Sequence, residues 1–163
     1  LPNTLSVISK KYLNSILEIY CRKVQRLETT QLEQDLIDAG FKPNELGSRV
    51  IEVKYFIAQS PKLLQKVIDK YYNHPNVNRD ALITIFEYLV QVDDVRMDNE
   101  QLTSFLDDAW LINSICSKHL NKQDINLNLK RLNFSARTAI KLLTNNELNE
   151  LEKIIQANRL LKY

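Results

Sequence analysis

YLVQVDDVRMDNEQLTSFLDDAWLI, residues 88–112, decides how the rest of the chain is read. It reads as the end of one apolar helix, an acidic connection and the start of a second apolar helix. Asp93, Asp94 and Asp98 fall in the connection, and Asp107 and Asp108 fall inside the second helix. Asp98 is placed to cap that helix, with Gln101 three residues on completing a capping box. Beyond it Leu102, Phe105, Leu106, Ala109, Ile112 and Cys116 share one face, which Leu111 and Ile115 widen. A helix apolar over so much of its circumference is expected at the centre of a fold. At about 100° per residue, Asp107 falls on the polar side with Thr103, Ser114 and Lys118. Asp108 falls between Ile112 and Ile115, inside the apolar arc. A carboxylate buried there without partners costs several kcal/mol, so backbone N–H groups of residues 93–98, Ser104 or Arg96 are expected to clasp it.

Upstream, punctuation and period divide the chain into helices. Leu5, Ile8, Tyr12, Ile16, Tyr20, Val24 and Leu27 recur at three- and four-residue steps, predicting a helix over residues 5–27. Lys10, Lys11, Arg22, Lys23 and Arg26 lie off that stripe, as a solvated face or a surface for nucleic acid or an acidic partner. Thr30 and Glu33 form a capping-box pattern, and Gly40 is placed to end the short helix it opens. A further helix carries Val50, Val53 and Ile57. Ser60 and Pro61 then read as a cap and first turn of a separate helix on Leu64, Val67, Ile68 and Tyr71. That helix stops in the turn-rich NHPNVN segment. Asn78 is placed to cap the next one, on Leu82, Ile85, Phe86 and Leu89.

Downstream of Leu120 the pattern changes. Residues 121–133 are rich in Asn and Lys and read as a linking loop. Ser135 is expected to cap a short helix, and Thr144 or Asn145 to start the last one, on Leu148, Leu151, Ile154 and Ile155. Lys118, Lys122, Lys130, Arg131, Arg137 and Lys141 face a single carboxylate, Asp124, across this region, so it is a candidate basic surface. Only Phe134 is interleaved with them, which falls short of a stacking platform for single strands.

Composition narrows the class. A chain of 163 residues with 44 % hydrophobic and 26 % charged residues fits one globular domain. Only two Gly and four Pro leave little turn punctuation for strands. The expected fold is therefore all-α, an irregular or orthogonal bundle of seven to eight helices. Its centre is expected to be the hairpin of the two helices that flank the acidic connection. Residues 1–163 form one domain in this reading, with 1–120 as core and 121–163 as a basic loop plus a C-terminal helix pair. The net charge of +2 is too small to argue for nucleic acid by itself. No apolar run approaches the roughly 18 residues of a membrane span, and no signal-peptide pattern is present. No membrane insertion and a cytoplasmic location are expected. The first residue, Leu1, fits a processed protein or a piece of a longer one. Cys21 and Cys116 read as two reduced core thiols, without the spacing of a zinc site. His74 reads as a loop residue and His119 as a charge near a helix end.

Tyr88, Val90, Asp94, Asp98, Phe105, Leu106, Asp107, Asp108, Ala109 and Ile112 carry a resemblance. They fall without a gap on the pattern Y-x-V-x-P-x-D-L-I-P-D-x-I-P-x-L-G-F-L-D-D-A-x-x-I. In this the stretch resembles the bacterial domain of unknown function DUF1232, found in YkvA-like proteins. Three prolines of that pattern are Val92, Met97 and Gln101 here, and its glycine is Ser104, so the connection is expected to be less rigid. The resemblance implies no established activity. Asp94, Asp98, Asp107 and Asp108 are either a structural clasp or, alternatively, oxygen ligands for Mg or Ca. A carboxylate-bound metal can activate water for hydrolysis. No cofactor is the first expectation. The leading functional reading is a non-catalytic protein-interaction or accessory module of a bacterial protein, with a protein partner and no enzyme activity. The alternatives are a divalent-metal-dependent hydrolase built on the aspartates and a nucleic-acid-associated domain built on the basic surface.

Overall fold

Helices form where apolar residues recur at helical steps, and side chains cap several of their N-termini. The computed structural model describes residues 9–90, 101–121 and 129–161, without the side chains of residues 88–90, 104 and 129. Seven α-helices occupy these residues: α1 (Lys10–Gln25), α2 (Thr30–Asp38), α3 (Leu46–Tyr71), α4 (Arg79–Val90), α5 (Leu106–Cys116), α6 (Leu129–Ile140) and α7 (Asn145–Ala157). Short 3-10 turns, Pro43–Glu45 and Leu102–Phe105, lead into α3 and α5. The fold is all-α, and the described residues include no strand, only the isolated bridges Glu28–Gln101 and Val77–Leu161.

The centre is α3 rather than a hairpin of α4 and α5. This helix of 26 residues runs straight through Ser60 and Pro61 and packs against α1, α2, α5 and α6. Val53, Phe56, Ile57, Leu63, Leu64, Val67 and Ile68 are buried along it. Ser60 does not cap a new helix. Its hydroxyl donates to the Phe56 carbonyl one turn back (3.1 Å) and accepts from Asn113 Nδ2 of α5 (2.9 Å). Pro61 has no N–H to give Ile57, a loss that normally breaks a helix. Here Pro61 is buried, and the hydrogen bonds through Ser60 tie this turn to α5.

Other boundaries moved for similar local reasons. In α1 the buried positions are Leu13, Leu17, Tyr20 and Val24, whereas Tyr12 is 56 % exposed; Leu5 and Ile8 lie outside the described residues. α2 begins at Thr30, so Thr30 is its first residue and not its cap. Gly40 ends it as expected, with φ at +96°. The Phe41 N–H donates to the Leu36 carbonyl and the Gly40 N–H to Ile37, the paired bonds of a Schellman close. Asn78 caps α4 through the Ala81 N–H, and Thr144 forms a full capping box with Glu147 on α7. α6 starts at Leu129, inside what the sequence suggested was a loop, and Ser135 sits buried in its middle. There Ser135 Oγ is within hydrogen-bond distance of both the Arg131 carbonyl and Glu52 Oε2 of α3, 2.7 Å each. One buried cluster runs from Leu13 through α3 and α5 to Leu160. No helix among the described residues is long and apolar enough to cross a membrane.

Candidate functional site

Asp94 and Asp98 lie outside the described residues, as does Asp93. Asp98 cannot head a helix that begins this late: Gln101 is extended, Leu102–Phe105 is a 3-10 turn, and α5 starts at Leu106. Asp107 and Asp108 therefore occupy the first turn of α5, where a helix presents free N–H groups and its positive end. Both are 0 % exposed. Asp107 was expected on the polar side, but the first turn of α5 is buried all round, from Leu106 to Ala109. Its Oδ1 accepts the backbone N–H of Asp108 at 2.9 Å. Asp108 is buried as its period implied, and its described side-chain partner comes from α1: Tyr20 Oη donates to Asp108 Oδ2 at 3.2 Å. The Tyr20 ring meets Phe105 edge-on with centroids 5.4 Å apart, and Lys23 Nζ lies 5.1 Å from the Phe105 centroid. This arrangement ties α1 to the start of α5. Among the described residues, no group of three or more His, Cys, Asp or Glu side chains is placed to hold a metal ion.

The basic residues divide into two places. Lys122 lies outside the described residues. Lys118 lines a cavity with Asn78, His119 and Arg159 and is not part of the α6 surface. On α6 and just beyond it, Lys130, Phe134, Arg137 and Lys141 follow at steps of four, three and four, so they form one stripe, and all four are exposed. The α6 sequence LKRLNFSARTAI contains no carboxylate. Arg131 turns inward instead. Its guanidinium stacks on the Tyr55 ring at 4.1 Å, and its Nε lies 3.6 Å from Glu52 Oε1.

Arg49 joins this surface from α3. Its guanidinium carbon lies 5.0 Å from the Phe41 centroid and 5.3 Å from the Phe134 centroid, so it packs against both rings. Arg49 Nη1 donates to Thr138 Oγ1 at 3.1 Å, which fixes the guanidinium plane against α6. Lys141 Nζ stands over the same Phe41 ring at 5.2 Å. Phe134 remains 43 % exposed at the middle of the stripe. The result is an aromatic ring held at the surface among cations from two helices. Nothing local in the sequence pointed to Arg49 or Phe41, because only the packing of α6 along α3 brings them to Phe134.

The thiols do not join either place. Cys116 is buried, and burial pushes its pKa far up; Cys21 is raised mainly by partial burial, with Lys62 acting against that and Glu18 with it. Searches against known families, curated proteins and solved structures found no match to this chain.

Proposed function

We propose that the protein is a non-catalytic helical interaction module. Its α6 stripe holds an acidic, apolar-anchored segment of another protein. The observation that supports this most is the Arg49 guanidinium packed against Phe41 and Phe134 and bonded to Thr138. It holds a half-exposed aromatic ring in one orientation before any partner arrives. Pre-set aromatic and arginine side chains are the groups that carry most of the energy in protein interfaces. Lys130, Arg137 and Lys141 around that ring would steer a negatively charged segment and set its register. An extended single strand would want several stacking rings in series, and the outer face of α6 offers only Phe134. The resemblance of residues 88–112 to DUF1232 adds no activity to this reading.

The test is selection from a displayed random-peptide library with the folded protein. Enriched peptides should alternate Asp or Glu with an aromatic or Leu anchor. Phe134→Ala should weaken the best of them by at least about tenfold, or about 1.4 kcal/mol. A selection with no acidic bias would contradict the proposal. So would tight oligonucleotide retention whose affinity falls steeply with salt, the mark of phosphate binding.

A further inference from the structure

A second site, independent of the α6 stripe, lies where three chain segments meet. The residues after α5, the cap of α4 and the segment after α7 enclose an open cavity of about 680 Å³. Asn78, Lys118, His119, Asn158, Arg159, Leu160 and Leu161 line it. The walls are built, not incidental. The Asn78 N–H donates to the Leu160 carbonyl at 2.6 Å, and Val77 bridges to Leu161. Tyr71 Oη donates to the His119 carbonyl at 2.8 Å, and Asn158 Nδ2 donates to the Ala81 carbonyl at 3.0 Å.

The chemistry of this lining is one-sided. Lys118 and Arg159 are exposed cations, and neither makes an ion pair among the described residues. No carboxylate is among the described lining residues. Asp80 sits in the first turn of α4 but does not line the cavity. The helix α4 begins there, so the positive end of its dipole adds to the same sign. Partial burial lowers the His119 pKa, and Lys118 and then Lys70 push it the same way, which reports a positive local field.

We infer that this cavity binds a small phosphorylated organic molecule, with its phosphate between Lys118 and Arg159. Arginine meets phosphate with paired N–H donors and lysine adds a point charge. Leu161, only partly buried, supplies apolar surface for the rest of the molecule. The volume lies inside the roughly 300–1,000 Å³ of ordinary ligand pockets.

Calorimetric titration of the full chain at constant ionic strength tests this, with inorganic phosphate and a nucleoside monophosphate as probes. Both should bind saturably, the organic phosphate at least about tenfold more tightly. Lys118→Gln and Arg159→Gln should each weaken binding by at least about tenfold. Both side chains are exposed, so the melting temperature without ligand should stay unchanged. Absence of saturable heat with either probe would overturn the inference. Equal binding by the wild type and both variants would overturn it as well.

Discussion

At the scale of single residues, the most informative side chains are two adjacent carboxylates buried at the start of a helix. Asp108 was legible because a helical period left it nowhere polar to go. Tyr20 as one of its partners was not, since it reads as one more apolar residue of the first stripe and meets Asp108 only in the folded chain. Asp107 was misplaced because the first turn of α5 is buried on every side, which a one-sided apolar stripe does not reveal. Removing either carboxylate strands buried donors. Asp108→Ala should cost about 2–4 kcal/mol. Asp107→Ala should cost about 1–3 kcal/mol through the Asp108 N–H it leaves behind. Urea titrations of the two variants check this, and a loss under about 0.5 kcal/mol from either would mark that residue as a surface one. His119 gives a pH dependence. Its folded-state pKa lies below the unfolded value of about 6.5. The unfolded chain therefore binds the extra proton first, so this contribution to stability is complete above that pH. It is lost as pH falls from about 6.5 through the folded-state pKa. Comparing melting temperatures across that range, His119→Gln should show a shallower acid slope than the wild type.

At the scale of elements, helix content was legible from period and caps, while several boundaries were not. Gly40, Asn78 and Thr144 act as local signals suggested, because each closes its helix with its own backbone or side chain. The pair Ser60–Pro61 misled because its meaning depends on α5: Asn113 reaches Ser60 across the helix interface, and α3 stays one element. The start of α2 is another case of a cap supplied from a distance. Gln101 Oε1 accepts from the Gln31 N–H at 3.1 Å and from Thr30 Oγ1 at 3.2 Å. Its Nε2 donates to Glu28 Oε2 at 3.3 Å, and the Leu102 N–H donates to the Glu28 carbonyl at 2.9 Å. The residue that looked like part of a box on its own helix therefore caps another. Gln101→Ala should cost about 0.5–2 kcal/mol, the usual loss of an N-cap. Hydrogen exchange should place the lost protection in the first turn of α2. Faster exchange confined to the start of α5 would show that Gln101 serves its own helix instead.

At the scale of the whole molecule, fold class followed from few glycines, few prolines and helical periods, but the choice of central element did not. The apolar richness of α5 made it look like the hub, whereas α3 holds that place because its length lets it touch four other helices. The basic surface was half legible. Lys130, Arg137 and Lys141 line up by spacing alone. The inward turn of Arg131 onto Tyr55, the removal of Lys118 to another cavity and the arrival of Arg49 are all products of tertiary packing. The proposed function depends on the sign of charge around Phe134. The variant Lys130→Glu, Arg137→Glu, Lys141→Glu reverses that sign at exposed positions and leaves the Arg49 contacts in place. The most direct measurement is fluorescence anisotropy of the selected acidic peptides against the wild type and this charge-reversed variant, in the same buffer. The reversed variant should keep its circular-dichroism spectrum and lose at least about tenfold in affinity. Equal affinity for both proteins would contradict the assignment of the α6 stripe as the interaction surface.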